Sequence, residues 1–424
     1  MSGSGEVSAT VTTRPPEIPL RRNHGFRMLW IGQVLSDTGS EIGTLAYPLL
    51  ILALTHSPLI AGAVGTASSI VAICLRLPAG ALSDRLDRRR TMIVCDSVRT
   101  VALALLGVLV LLHLVAWPVV LVVALIDKAG GVIFDPASMS ALPGIVPDAQ
   151  LEEAWAATEA RNYAASLAGP ALGGVLFGLA RAVPFFGDAV SYLVSVGTVS
   201  RIRGRFRPER TTERKALWRE VAEGVQLVKD HPLLRAVAIQ APLINFAING
   251  VVFAIILDLR RHGTAAGVVG LVLAGVAAGG LLGAIAAPKL QGRLRLSALV
   301  VVVTLAGTLL FVAAAFVLPS PLVALPVAGS LLLAPTANAA LFAQMLRTTP
   351  EEMRGRVNNT VIMVAGGLAA LAPLTAGLLV QHVSGLWAIG VFAVVMAVAT
   401  GMALVLPGLR NAEAAGQSAG QPAD

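Results

Sequence analysis

From residue 26 to residue 408 the chain is a succession of apolar runs joined by short polar loops. A helix needs roughly 20 apolar residues to cross a hydrocarbon core. A backbone in lipid must satisfy its own hydrogen bonds, so runs of this length can only be helices. Twelve such runs can be marked out, at 26–54, 59–82, 91–113, 118–142, 152–180, 184–202, 234–257, 264–288, 296–318, 321–346, 356–381 and 385–408. The expected fold is an all-α membrane protein of twelve transmembrane helices. Only 13% of the 424 residues are charged, against roughly 25% in an ordinary soluble domain.

The net charge of +8 is distributed as membrane topology requires, and no nucleic-acid partner is expected. If the N-terminus is cytoplasmic, most of the 32 basic residues fall in cytoplasmic loops, tails or their edges. Only Arg181, Arg260 and Arg261 fall on the other side, which by the positive-inside rule places both termini inside. The chain divides into a cytoplasmic tail (1–25), a six-helix half (26–202), a cytoplasmic linker (203–233), a second six-helix half (234–409) and a disordered tail (410–424). In the linker, Leu217, Val221, Val225 and Val228 share one helical face. That pattern predicts an amphipathic helix on the inner membrane surface, with a solvated linker as the alternative.

No cleavage site precedes the first run, which reads as a retained anchor. Cys74 and Cys95 read as small hydrophobes. No metal cluster, phosphate-binding loop or nucleophile elbow is visible, so neither an enzyme nor a cofactor is expected. Arginine far outnumbers lysine and alanine and glycine abound, a bias that suggests a G+C-rich bacterial genome and a plasma-membrane location.

The two halves look like copies. A shift of 203 carries Pro147 to Pro350, Pro170 to Pro373, Gly174 to Gly377, Gly80 to Gly283 and Arg90 to Arg293. Parallel repeats of this kind suit a secondary transporter whose binding site lies between its halves.

After the second run stand Gly80, Asp84, Arg85, Leu86, Asp87, Arg88, Arg89 and Arg90. In this position they resemble the Gly-x-x-x-Asp-Arg/Lys-x-Gly-x-Arg/Lys-Arg/Lys signature of the major facilitator superfamily. Asp87 stands where that family usually has glycine; aspartate is one of the few other residues that visits positive φ at modest cost. The resemblance spans the chain. It implies two pseudo-symmetric six-helix halves, a working monomer, and a latch in which Asp84 and the arginines join the halves on the cytoplasmic side. Arg354, Arg356 or Asn358 would be the partners, and Asp96 and Arg99 an extension of the network. Topology alone is the alternative role for the stretch.

Gly169, Pro170, Gly173 and Gly174 look like the Gly-Pro-x-x-Gly-Gly motif of proton antiporters in that superfamily, with a simple packing kink as the alternative. The stretches "FRMLWIGQVLSDTGSEIGTLAYPLL", "FDPASMSALPGIVP" and "PFFGDAVSYLVS" are similar to bacterial exporters of macrolides and enterobactin. The implied function is proton-coupled export of a small amphiphilic drug or secondary metabolite. An uptake symporter or a lysophospholipid flippase on the same fold is the alternative.

Ionisable groups within a membrane are costly and so are functional candidates. They cluster in the first half, the second offering only Asp258. Glu41 lies about 22 Å along its helix from Phe26, at 1.5 Å per residue. It is the first candidate for proton coupling, because a carboxylate removed from water holds a proton more readily. Asp37, a turn away, is the second candidate or a partner for Arg76. Tyr47, Asn245, Asn249 and Phe253 are candidates for the substrate cavity, with Asn338, Phe342 and Asn359 as further possibilities; a helix–helix hydrogen bond is the alternative for each.

Overall fold

The computed structural model describes residues 19–202, 217–290, 295–349, 353–406 and 408. Most of both expected tails, the first part of the linker, Pro350 and Arg293 lie outside the described residues. So do the side chains of Asp84, Leu217, Val221 and Arg356. Six helices form the first half: α1 (His24–Thr55), α2 (Pro58–Arg85), α3 (Arg88–Leu111), α4 (Trp117–Ala141), α5 (Leu151–Leu179) and α6 (Val183–Arg201). After α7 (Leu217–Asp230) come α8 (Pro232–Arg261), α9 (Ala266–Leu290) and α10 (Leu296–Val317). The chain then continues through α11 (Ala324–Leu331), α12 (Ala334–Thr348), α13 (Arg354–Ala369), α14 (Ala372–His382) and α15 (Gly385–Val405). Among the described residues there is no strand.

Helix starts follow from local chemistry. The Asn23 side chain accepts from the Phe26 N–H at 3.1 Å and caps α1, while Ser57 caps α2 ahead of Pro58. Asp87 has φ −65° and accepts from the Arg90 N–H at 3.0 Å. It therefore does not use the left-handed conformation expected at the signature's glycine position. Its carboxylate instead satisfies an orphan donor at the start of α3, a role glycine cannot fill.

Two expected spans are each built from two helices. The run 321–346 breaks between α11 and α12, and 356–381 between α13 and α14. Pro335 and Pro373 lie in the first turns of α12 and α14, where the missing N–H would be unpaired in any case. Pro170, by contrast, lies inside the unbroken α5. Among the described residues ten stretches are long and apolar enough to cross a membrane. α1 and α5 are not among them. They are 32 and 29 residues long but carry Asp37, Glu41, Glu159 and Arg161, and both pack into the same bundle. Large apolar side chains such as Val101, Leu179, Phe316 and Val405 stand exposed on its outside, as a lipid-facing surface requires.

The duplication has two registers rather than one. A shift of 203 carries α5 (151–179) onto α13 and α14 (354–382). For the first three helices the shift is 208: α1 starts at 24 and α8 at 232, α2 at 58 and α9 at 266, α3 at 88 and α10 at 296. Gly80 and Gly283 are therefore not equivalent, because the segment between the third and fifth helices is five residues shorter in the second half (208 − 203).

The same relation builds the seam between halves. Gly270 of α9 lies against the Pro170 carbonyl and Gly174 of α5; Gly62 of α2 lies against the Pro373 carbonyl and Gly377 of α14. A side chain at either position would strike backbone, so small residues are required for this approach. Both contacts lie at the end of the bundle opposite the arginine-rich loop. On the α2–α14 side polar contacts reinforce the glycines. Thr66 Oγ1 accepts from the Leu374 N–H at 3.0 Å, and Gln381 Oε1 accepts from the Leu59 N–H at 3.0 Å and Ser57 Oγ at 2.8 Å. At the basic end α7 packs on α8 and α13. Val228 is buried there with Leu234, Met345 and Val357, so this part of its apolar face meets protein rather than the membrane surface.

Candidate functional site

A cavity of about 1630 Å³ separates the halves. It runs from Arg85, Ser140 and Trp155 at the basic end to Ile51, Ala61 and Phe253, beneath the seam that closes the opposite end. Phe253 packs over Gly65 of α2 at that closed end. The two walls differ in chemistry. The first half contributes Asp37, Glu41, Asp127 and Asp135, together with Arg76, Arg99, Lys128 and Arg161. The second half contributes no ionised group among the lining residues. It offers Asn245, Asn249, Phe253, Asn359 and Met363.

Four of the substrate-cavity candidates, Tyr47, Asn245, Asn249 and Phe253, share this cavity with Asn359, whereas Asn338 and Phe342 on α12 do not line it. Among the described residues neither amide of the α8 stripe bonds to another helix. Asn245 Nδ2 donates to the Ala241 carbonyl at 2.9 Å and Asn249 Nδ2 to that of Asn245 at 2.8 Å. Their exposed amide oxygens remain available as acceptors on the cavity wall.

Part of the charged wall is a largely buried network that joins four helices. Arg99 of α3 is 4% exposed. Its Nε donates to Asp127 Oδ1 of α4 at 2.8 Å and its Nη2 to Ser40 Oγ of α1 at 3.0 Å. The guanidinium also bonds the Tyr192 hydroxyl and stacks 3.7 Å from the centre of that ring on α6. Asp127 accepts in addition from Tyr192 at 3.1 Å and from Tyr47 at 3.0 Å. Asp96 is a looser partner at 3.5 Å. Arg99 thus works inside the first half rather than in a loop latch. Asp188 is buried on α6, receives Ser191 Oγ at 3.2 Å, and lies where a side chain at Gly39 would be.

A second network lies nearer the basic end. Asp37 pairs with Arg161 of α5, Oδ2 to Nε at 2.7 Å, and not with Arg76, which stands exposed to the cavity. Arg161 also bonds Gln33, and Gln33 bonds Ser138 of α4. Sequence reading did not assign Gln33, Ser138, Tyr192 or Ser40 to the site. Their only signal was polarity at helical spacing within apolar runs. Glu41 and Asp135 both line the cavity with no ion pair among the described residues; Lys128 is the one cation within electrostatic reach of Glu41, whereas Arg99, Lys128, Arg161 and Arg76 all act on Asp135. Lys128 is exposed to the cavity while its neighbour Asp127 is buried, as adjacent residues on a helix must diverge.

The signature loop is held within the first half. Arg88 Nη1 donates to the Ser140 carbonyl at 2.6 Å, Arg89 bonds the Ser200 carbonyl, and Arg85 stands at the cavity mouth with Gly80. No hydrogen bond from these arginines to the second half is found among the described residues. In the Gly-Pro motif the residues divide their work. Gly169 and Gly173 let α5 close on Glu41 and Ile42 of α1, while Pro170 and Gly174 meet α9. Among the described residues no group of His, Cys, Asp and Glu could hold a metal ion.

The family model described as transmembrane secretion effector matches residues 16–423. The multidrug efflux pump Tap of Mycolicibacterium fortuitum is 29% identical over 364 residues, covering 82% of this chain and 86% of that one. The protein of the same name from Mycobacterium tuberculosis is 26% identical over 422 residues, covering 94% and 96%. Among solved structures, an inward-facing, unoccupied bacterial homolog of the human lysosomal transporter Spinster has a TM-score of 0.71 at 14% identity, covering 93% of this chain and 98% of that chain. An inward-facing bacterial homologue of the iron transporter ferroportin gives 0.70 at 16%, covering 92% and 99%. At those identities the likeness is one of fold. Together with the cavity between two matched halves, these findings place the chain in the transmembrane secretion effector family of the major facilitator superfamily, a family of membrane transporters.

Proposed function

We propose that the chain is a proton-coupled antiporter that exports small amphiphilic drugs or secondary metabolites by alternating access. It would work as a monomer in a bacterial plasma membrane, with the basic end and both termini in the cytoplasm. The observation that carries this reading is the two-sided cavity: carboxylates and cations on one wall, amides and aromatics on the other, open toward the basic end. The apolar and amide wall suits a lipophilic ligand of variable shape, and relatives named multidrug efflux pumps support that substrate class. Glu41 takes the proton, because it faces the cavity without a fixed ion-pair partner, with fewer cations in reach than Asp135, and at the point where Gly169 of the Gly-Pro motif lets α5 close on α1. Asp37, fixed by Arg161, holds α1 to α5. A proton and a cationic amphiphile compete for the same Glu41 carboxylate, so arrival of the substrate releases the proton and reloading expels the substrate.

The Gly-Pro seam and the signature loop supply the two gates. In the conformation described, the seam is closed and Arg88 and Arg89 each donate to a carbonyl of their own half. The latch, with Asp84 at its centre, forms when the cavity turns to the other side.

The test uses energised everted vesicles from a host lacking its major efflux pumps, with lumenal pH followed by a dye while macrolides, siderophores and lipophilic cations are added. Proton release on adding one class, abolished in Glu41→Gln and Asp84→Asn, supports the proposal. Release that survives in Glu41→Gln moves the proton site to another carboxylate of the first half. Altered lipid distribution with no drug response favours the flippase alternative.

A further inference from the structure

A second cavity, of about 410 Å³, lies on the seam at the end of the bundle opposite the basic one. Its wall carries Arg181 from the α5–α6 connection, Arg260 and Arg261 from the last turn of α8, His56 at the end of α1, and Gln381 from α14. These three arginines are the exceptions to the charge asymmetry of the whole chain. Topology selects against basic residues at this end, so topology does not explain three of them around one cavity.

Their charge is not matched locally. Among the described residues none of the three forms an ion pair with a carboxylate. Arg181 and Arg260 act on each other as like charges across the seam. The nearest acid, Asp258, is buried, 3.4 Å from His262 and bonded to the backbone of Gly385; of the cluster it reaches only Arg261. The α8 guanidiniums are nevertheless held in place. Arg260 Nη1 donates to the Thr264 carbonyl at 2.6 Å and Arg261 to the Val380 carbonyl. That leaves donors uncommitted, among them the buried Arg260 Nε, which has no hydrogen-bond partner. Gln381 already accepts from Ser57 and Leu59 and serves as wall.

We propose that this cavity binds a phosphate-bearing anion that bridges the two halves. Arg181 and His56 would contact it from the first half, Arg260 and Arg261 from the second. Guanidinium forks match phosphate oxygens in pairs, and the anion replaces the repulsion between Arg181 and Arg260 with attraction to both. A ligand that touches both halves favours the state in which they meet. The anion therefore stabilises closure of this end. Two sources fit the chemistry, the headgroup of an anionic phospholipid in the adjacent leaflet and free inorganic phosphate.

The experiment uses the full chain in nanodiscs and measures binding and unfolding, so it does not depend on any transport activity. Wild-type protein is compared in phosphatidylcholine discs, in discs containing phosphatidylglycerol, and in phosphatidylcholine discs with inorganic phosphate in the buffer. Retained lipid is counted by native mass spectrometry and thermal unfolding is followed by tryptophan fluorescence. Retention of phosphatidylglycerol with a raised unfolding temperature, weakened about tenfold or more in Arg181→Gln/Arg260→Gln and unchanged in Arg347→Gln at the basic end, supports a headgroup site. The same rise with inorganic phosphate alone, lost in the same variant, supports a free-anion site. Arg181→Gln alone, on an exposed connection, repeats the test should the double variant not fold. No effect of either anion on the wild type, or an effect retained in both variants, overturns the proposal.

Discussion

In the first half Arg99, Asp127, Asp37 and Arg161 meet in the interior through two ion pairs of 2.8 and 2.7 Å. The matched interior of the second half is built from Gln240, Thr304 and Thr400 among apolar side chains. At the place of Arg99 stands Gly307 (99 + 208), with Met396 packed 3.5 Å from where its side chain would begin. At the place of Asp96 stands Thr304 (96 + 208), bonded to the Val300 carbonyl of its own helix at 2.9 Å. One copy of the repeat thus has an interior held by ions, the other by packing. Buried ions demand fixed geometry, because each leaves an uncompensated charge if its partner moves. The charged copy is therefore the one whose interior is held in fixed register, and the apolar copy the one that can change shape.

That contrast can be broken most directly at Arg99. Arg99→Leu strips Asp127 of its cation and Tyr192 of its stacked partner, and should cost about 3–5 kcal/mol of stability. Unfolding in detergent would show it; a loss below about 1 kcal/mol would mean the ions are not mutually dependent. The seam sharpens the comparison from the other side, since there the halves are alike. Gly62→Val and Gly270→Val place the same group against the Pro373 and Pro170 carbonyls. Each should disfavour the closed seam by about 1–3 kcal/mol, read as increased labelling of a cysteine placed at that end. Unequal effects would show that the two contacts are not equivalent. The smallest change belongs to the second half. Gln240→Leu removes a buried bond of 2.9 Å to the Ala399 carbonyl and should cost about 0.6 kcal/mol, the usual worth of such a bond within a membrane. A cost approaching that of Arg99→Leu would erase the distinction between the halves.

The spans were legible because hydropathy reports the thickness of the solvent directly, and the candidate carboxylates because charge within a span is so rarely tolerated. Azimuth was not legible. Asp37 turns toward Arg161 rather than Arg76, and Arg99 toward Asp127 and Tyr192 rather than toward the loop. Which face of α1 meets α5 is decided by Gly169 and Gly173, and no single helix pattern reports its neighbours. The register of the repeat misled for a related reason. Gly80 and Gly283 fit a shift of 203 only because glycine is abundant here, and the five-residue difference between the halves became visible once α2 and α9 could be laid against each other. Asp87 shows the opposite case, in which a departure from the signature finds another use as a helix cap.

The interruption between α13 and α14 has a mechanical consequence. An unbroken helix transmits a tilt from one end to the other as a rigid rod, and α5, continuous through Pro170, is such a rod. At Ala370 and Leu371 the corresponding span has a joint. Beyond the joint α14 is tied to α2 by the reciprocal bonds of Thr66 and Gln381. Before it α13 lines the cavity with Asn359 and Met363. The segment that lines the cavity can pivot while the segment that seals the far end stays clasped, so a movement of the cavity wall need not break the seal.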